Sequence, residues 1–201
     1  MKQILSLEQA KMVIKPYKEE LYNAIESAFH KHLEVIDFLH NGGLPVKFTK
    51  TAKATNIHEF IKAYLKKYFV DRPDINIGVI NGIFGILIEN QVFIRFKKMD
   101  KNFFTSNIQT IQTKKYGDQD EIFGLGPNVT FLYCGYVPDP TFTFIKNIHI
   151  VCKHGDSFKW NISVSSSSEQ MELSFDDQGK DVTIISRVKL KEGIQKIKKT
   201  S

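Results

Sequence analysis

The hydrophobic periodicity of this chain changes at Pro73, and that change limits the possible folds more than any other feature. Before Pro73, apolar residues recur at steps of three and four, which is typical of amphipathic helices. After it, apolar and polar residues alternate in several short runs, which indicates β-strands with one buried face. Because the helices come first and the strands follow, the order predicts an α+β fold in which N-terminal helices pack on a mainly antiparallel β-sheet.

Two helical regions are predicted before Pro73. The first covers residues 6–40 and ends at Asn41-Gly42-Gly43, because glycine adopts the backbone conformation that terminates helices. The second is predicted from Asn56 to Phe69, with the Asn56 side chain as its N-cap. Both regions carry an apolar stripe that suits packing against a sheet.

The dipeptide Asn81-Gly82 predicts a tight β-hairpin between residues 75–80 and 83–88. Both central positions of a type I′ turn need positive φ, which asparagine and glycine tolerate. This turn places Gly78 opposite Gly85. The absence of two side chains predicts a bare spot on the sheet that a helix or a ligand can approach closely.

Further strands are predicted at 92–97, 129–136, 142–153 and 157–164. In the last of these, Phe158 is expected to share a buried face with Trp160, because the two positions alternate with polar residues. Residues 1–164 are therefore interpreted as a single α+β domain. Residues 165–201 are interpreted as a linker, a possible extra hairpin and a basic C-terminal tail.

The strand that begins at Val92 is predicted to carry a binding surface. Its alternation sends Phe93, Arg95 and Lys97 to one face, which is expected to point into water. Cations beside an aromatic ring are typical of surfaces that hold phosphates and stack bases. Lysines on the outer side of the second helix are expected to extend the surface. The predicted binding residues are Lys62, Lys66, Lys67, Phe93, Arg95, Lys97, Lys98 and Lys101.

Charge and cysteine content indicate a compartment and a class of partner. The formal net charge of +6 favours anionic partners. Cys134 and Cys152 belong to no CxxC motif, and the chain begins without a signal-peptide pattern. No apolar run reaches the length of a membrane span. The sequence thus predicts a cytoplasmic protein with free thiols and no membrane partner.

Catalytic alternatives are weaker but stay open. A metal-dependent nuclease could use Asp74 and Glu89 as metal ligands, although the residue two after Glu89 is Gln91 where such motifs have lysine. The same basic residues could also be an ordinary solvated strand with edge-protecting lysines. No catalytic residue, metal ligand or cofactor is assigned.

A resemblance to other proteins rests on three segments of the chain: ATNIHEF, VFIRFKKMD and CGYVPDPTFTFIKNIHIVCKHGDSFKWNI. Over residues 50–164 the chain resembles uncharacterised bacterial proteins with an Ile-His helix, an Arg-Phe-Lys-Lys strand and a Gly-Tyr/Val-Cys/Trp strand group. The resemblance implies an association with mobile elements, toxin–antitoxin systems or phage-defence operons. It transfers no catalytic residue.

Taken together, these patterns predict a non-enzymatic intracellular binding protein that uses its basic surface to contact an anionic partner. DNA or RNA is the first candidate, and an acidic protein is the second. A metal-dependent nuclease and a pure protein-interaction module are the alternatives.

Overall fold

The computed structural model describes residues 2–106, 108 and 110–165 of the chain. Within them the helices are α1 (Leu7–Ile14), α2 (Lys18–Asn41), α3 (Lys50–Tyr68) and α4 (Ile111–Gly117), and a 3-10 turn, Lys15–Tyr17, separates α1 from α2. The strands are β1 (Ile75–Ile80), β2 (Ile83–Ile88), β3 (Val92–Lys98), β4 (Thr130–Pro138), β5 (Ile145–His154) and β6 (Ser157–Ser163). The α+β class is confirmed. The predicted extra hairpin and basic tail lie outside the described residues.

The N-terminal helices follow local sequence signals. Pro16 lies in the 3-10 turn, where its missing N–H interrupts the α-helical hydrogen bonding between α1 and α2. Helix α2 ends at Asn41, and Gly42 is its C-cap, as predicted. Helix α3 begins earlier than predicted, because the Thr49 side chain accepts a hydrogen bond from the Ala52 N–H at 3.2 Å. Asn56 therefore lies inside α3, and the prediction that it caps the helix is wrong.

The strands form one six-stranded sheet in the order β1-β2-β3-β4-β5-β6. Neighbouring strands are antiparallel except β3 and β4, which run parallel from the Val92–Thr130 pair to the Lys98–Tyr136 pair. Parallel neighbours need a crossover connection, and residues 99–129, including α4, supply it. The sequence predicted the meander β1-β2-β3 but not this parallel pair, which joins the two strand groups.

The sheet is covered on both faces. One face belongs to a buried cluster shared with the N-terminal helices, in which Ile94 and Leu132 of the sheet accompany Ile25 and Ile61 of the helices. The other face belongs to a second cluster that includes Phe93, Tyr133 and the α4 residue Tyr116. The crossover therefore covers the face that the sequence pattern predicted to be wet.

Tyr116 holds the crossover against the parallel strands. Its hydroxyl lies 2.9 Å from the carbonyl oxygen of Phe93 and 2.5 Å from that of Leu132. Its ring stacks on Phe131 with centroids 5.0 Å apart and meets Tyr133 edge-to-face at 4.9 Å. These contacts join α4 to both β3 and β4.

Two predictions about buried residues have different outcomes. Cys134 and Cys152 are free and buried, as predicted, and burial raises the pKa of both thiols. Phe158 does not share a face with Trp160, because the pairing of β5 with β6 shifts between Cys152 and Lys153. Phe158 packs instead with the crossover-side cluster.

The hairpin glycines pair as predicted, but their surroundings differ. Gly78 lies opposite Gly85 in the β1–β2 pair. A Cβ at Gly85 would lie 2.6 Å from the Ile94 carbonyl oxygen and 2.6 Å from the Phe93 ring, whereas a Cβ at Gly78 would meet nothing within 4 Å. The Phe93 ring thus fills half of the predicted bare spot.

This difference predicts that alanine destabilises the protein at one of the two paired glycines and has little effect at the other. Gly85→Ala is expected to lower the free energy of unfolding by about 1–3 kcal/mol, because the backbone and a buried ring must move. Gly78→Ala is expected to change it by at most about 0.5 kcal/mol. Urea denaturation of both variants is the measurement. Equal destabilisation by both would contradict the packing described for β2 and β3.

Candidate anion-binding cleft at the ends of the parallel strands

A cleft of about 420 Å³ opens where β3 and β4 end. Because these strands are parallel, their carboxyl ends meet at the same edge of the sheet. Residues 98–101 line one wall as the chain leaves β3, and residues 137–140 line another as it leaves β4. The carboxyl ends of parallel strands are the usual location of ligand sites in α/β sheets.

The loop after β3 is built around the Asp100 carboxylate. Its Oδ1 accepts hydrogen bonds from the N–H groups of Asn102 at 2.8 Å and Phe104 at 2.9 Å. The Asp100 N–H donates to the Phe104 carbonyl at 3.0 Å, which closes the loop. Phe103 takes a positive φ of 63° within it, an unusual conformation for a bulky residue.

The loop after β4 repeats this design around Asp139. The Asp139 carboxylate accepts hydrogen bonds from the N–H groups of Thr141 at 2.9 Å, Thr143 at 2.5 Å and Phe144 at 3.0 Å, and from the Thr141 hydroxyl. The Asp139 N–H donates to the Phe144 carbonyl at 3.0 Å. Phe142 takes a positive φ of 61°, three residues after the aspartate, as Phe103 does.

The protonation of Asp139 follows from these contacts. Burial acts to raise the pKa of its carboxyl, but the hydrogen bonds from Thr141, Phe144 and Thr143 outweigh burial and hold the pKa well below its usual range. The Asp139 carboxylate is therefore an anion that backbone and hydroxyl donors already satisfy. Two backbone N–H groups also donate to Asp100 Oδ1, so backbone donors engage the carboxylates at the cleft.

Four lysines line the cleft, and none of them forms an ion pair within the described residues. One ends β3, one lies in the loop after it, one lies in the first turn of α3, and one lies near the start of β5: Lys98, Lys101, Lys50 and Lys146. Four ammonium groups thus accompany two carboxylates, and the positive end of the α3 dipole adds to the excess. The arrangement suits an anionic ligand.

Aromatic rings lie beside these cations. The Lys98 ammonium lies 5.6 Å from the centroid of the Phe142 ring, and the Lys53 ammonium lies 5.1 Å from it. Phe104 lines the cleft and is 44% exposed, and Phe144 in the neighbouring loop is 54% exposed. The cleft therefore offers both charged and π-stacking contacts.

The structure divides the predicted binding residues into separate groups. Lys98 and Lys101 line the cleft. Phe93 does not reach solvent: it is 0% exposed, because Tyr116 packs edge-on against its ring at 6.2 Å. The prediction that Phe93 points into water beside Arg95 and Lys97 is therefore wrong, and the crossover from β3 to β4 is the physical reason.

Arg95 and Lys97 form a partly buried cationic group, and the Arg95 guanidinium lies 6.0 Å from the centroid of the Tyr116 ring. Burial, with smaller contributions from the charges of Lys62, Lys97 and Arg95, lowers the pKa of His58 to about 4. Burial, followed by repulsion from Arg95, lowers the pKa of Lys97 to about 8. Arg95 Nη1 is buried without a hydrogen-bond partner among the described residues. Of these cations, Lys62 is paired, since its ammonium lies 2.7 Å from Glu59.

Lys66 and Lys67 lie apart from both groups. They are exposed in the last turn of α3, and the Lys67 ammonium lies 5.9 Å from the Tyr64 ring centroid. Within the described part of the chain, no ion pair, hydrogen bond or ring contact joins either lysine to β3. The continuous helix-and-strand surface predicted from sequence is thus replaced by a cleft and a separate half-buried group.

Sequence reasoning missed several residues of the cleft. Lys146 stood outside the predicted surface, and Asp100 and Asp139 were given no role. One signal was available: an aspartate follows the end of each parallel strand and a phenylalanine stands three positions later, in DKNF and DPTF. Aspartate side chains bond the backbone of following residues, so this spacing is typical of a compact loop.

The two carboxylates proposed for a nuclease do come together. The Tyr17 hydroxyl donates to Asp74 and lies 3.0 Å from Glu89 Oε1, while the Gln91 amide lies 3.1 Å from Glu89 Oε2. Burial and these two acids raise the pKa of the Tyr17 hydroxyl well above its usual range. The described residues contain no group of three or more His, Cys, Asp or Glu side chains placed to hold a metal ion.

Comparisons with known protein families, curated proteins and solved structures return no match to this chain. Among the helices described, none combines the length and apolar character needed to cross a membrane.

The half-buried position of Lys97 predicts a specific pH dependence of stability. Its folded pKa of about 8 lies below the value of about 10.4 for an unfolded lysine, so unfolding binds a proton between these values. Stability from this residue therefore rises as pH increases from about 8 to about 10.4. Lys97→Met should be more stable than wild type at pH 7, and that advantage should shrink over this range.

Urea denaturation at several pH values measures this effect. Lys66→Met, which removes an exposed ammonium from α3, is the matched control and should leave the rise in place. A Lys97→Met variant that shows the full wild-type rise would contradict the burial of this charge.

Asp139 predicts a second pH dependence of stability, on the acid side. Its folded pKa is depressed, so its contribution to stability is present above the unfolded value of about 3.9 and declines as pH falls below it. Asp139→Asn should be less stable than wild type at pH 7, and the difference should shrink toward pH 2. The exposed Asp156→Asn is the control, and a constant difference for Asp139→Asn from pH 7 to pH 2 would contradict the loop geometry.

Proposed function

We propose that this protein is a non-catalytic, cytoplasmic nucleic-acid-binding protein that holds phosphate groups in the cleft at the ends of β3 and β4. One observation carries the proposal: four lysines without ion pairs, among the described residues, line a cleft whose carboxylates are engaged by backbone donors. Phosphate oxygens of a ligand can therefore pair with these lysines in place of acidic side chains. No cofactor is needed for this activity.

Several features support a nucleic acid over an acidic protein. Nucleic acids carry closely spaced phosphates, which suits lysines contributed by three different elements. They also present planar bases, which suits the exposed rings of Phe104 and Phe144. The resemblance to bacterial proteins of mobile-element and defence operons favours the same partner class, and we propose toxin–antitoxin or phage-defence systems as its setting.

The proposal predicts salt-sensitive binding that depends on the cleft lysines. Fluorescence polarisation of a labelled oligonucleotide, repeated over a range of salt concentrations, gives the slope of log K against log salt. Lys98→Gln combined with Lys101→Gln should weaken binding and reduce the magnitude of that slope by about 1.4, since each single-strand phosphate contact contributes about 0.7.

The matched control is Lys66→Gln combined with Lys67→Gln, which removes the same charge from the exposed last turn of α3. This control should leave the slope unchanged. Equal losses in both double variants would show that general charge, and not the cleft, drives binding. Wild-type protein that binds neither DNA nor RNA in a salt-dependent way would overturn the proposal, and co-purification with an acidic protein would then favour an interaction module.

A metal-dependent nuclease is the second candidate, and the meeting of Asp74 and Glu89 at the Tyr17 hydroxyl is the observation that favours it. Incubation with plasmid or RNA and Mg²⁺ or Mn²⁺ tests it. Cleavage that Glu89→Gln abolishes, while the Lys98 and Lys101 double variant retains it, would support the nuclease. Wild-type protein that leaves both substrates intact would count against it.

A further inference from the structure

Phe104 stands at the cleft as an exposed ring with a fixed position. Its N–H donates to Asp100 Oδ1, its carbonyl accepts from the Asp100 N–H, and Met99 and Thr105 form a β-bridge that closes the same loop. The ring itself packs against Phe158 with centroids 5.1 Å apart at 61°. An aromatic side chain that is 44% exposed is therefore held in place by its backbone and by a neighbouring ring.

A cation lies beside this ring, and others line the same cleft. The Lys153 ammonium lies 4.9 Å from the Phe104 centroid and 5.2 Å from the Phe158 centroid. Lys98 and Lys101 line the cleft together with Phe104. An exposed ring with ammonium groups beside it is the combination by which proteins bind single strands, because bases stack on the ring while the cations contact the backbone.

We propose that Phe104 stacks on an unpaired base, so that the cleft selects single-stranded over double-stranded nucleic acid. In a duplex each base is stacked between its neighbours and offers no free face, whereas an unpaired base can be splayed onto a side chain. The fixed ring needs little further ordering on binding, which favours affinity. This inference rests on the proposed function, and names the ligand class of the same cleft.

The test compares three ligands of matched size: a labelled single-stranded oligonucleotide, its duplex, and heparin, a polyanion without bases. Wild-type protein should bind the single strand more tightly than the duplex. Phe104→Leu should weaken single-strand binding by about fivefold or more, the lower end of the range for one stacked base. The same variant should leave heparin binding unchanged, because it removes a ring and no charge.

Phe123→Leu is the matched control, since Phe123 is 89% exposed and does not line the cleft. It should bind every ligand as wild type does. Phe104→Trp gives an independent measurement that needs no loss of binding: its indole fluorescence should fall on addition of the single strand and stay constant with heparin. Trp160, present in wild type, supplies the reference signal.

Several results would overturn the inference. Duplex binding as tight as single-strand binding would do so, as would unchanged single-strand affinity in Phe104→Leu. In either case the proposed function survives if the Lys98 and Lys101 double variant still weakens binding. If Phe104→Leu lost affinity for both heparin and the single strand, the substitution would have disrupted the cleft itself. In that case, Phe104→Trp fluorescence that does not fall on addition of the single strand would decide against stacking. Wild-type protein that binds no nucleic acid would end both proposals.

Discussion

The parallel pairing of β3 with β4 determines the path of the chain between them, the cover of one sheet face and the position of the cleft. Two strands that run the same way cannot be joined by a tight turn, so residues 99–129 must travel back to the start of β4. That return path lies against the second face of the sheet, where Tyr116 meets Phe93 and Tyr133. The same alignment brings the two strand ends together at one edge, where the cleft lies.

The alignment also decides which cations are available to a ligand. Arg95, Lys97 and Lys98 all pair with β4 and are partly buried, but of the three only Lys98 lines the cleft. Lys98 ends the strand and Lys101 lies in the loop beyond it, so both can line the cleft. Cations only a few positions apart in one segment therefore differ in effect: those that are buried away from the cleft reduce stability, and those that line it are suited to binding.

The aspartate loops explain how a cleft with acidic residues can still attract anions. The Asp100 and Asp139 carboxylates are engaged by backbone N–H groups, which fold the loops and occupy acceptors that lysines could otherwise pair with. Each loop places a phenylalanine at positive φ, a conformation that persists only where surrounding contacts hold it. Strained residues of this kind cluster at binding sites. The two loops thus form hydrogen-bonded walls of the cleft.

The sequence predicted the local features of the fold better than the long-range ones. Asn81-Gly82 specified the hairpin and the pairing of Gly78 with Gly85, because turn chemistry acts over neighbouring residues. The alternation in β3 correctly separated Phe93 from Ile94, but it could not reveal what covers each face. That depended on contacts with Tyr116, which lies in a different segment of the chain.

The candidate site shows the same limit. Lys98 and Lys101 were predicted from their own strand, whereas Lys50 and Lys146 come from elements that only the topology brings to the cleft. The start of α3 was misplaced because Asn56 and Thr49 are both acceptable caps, and propensity alone does not choose between them. Lys66 and Lys67 were grouped with the strand on charge alone, without any constraint on distance.

NMR titration of ¹⁵N-labelled protein with a single-stranded oligonucleotide would show whether the cleft binds nucleic acid, because it locates the contact surface without any substitution. Amide shifts are expected to concentrate in residues 98–106 and 137–146, which form the two aspartate loops and the start of β5. Shifts that instead concentrate in the last turn of α3, or spread evenly over all exposed lysines, would contradict binding at the cleft.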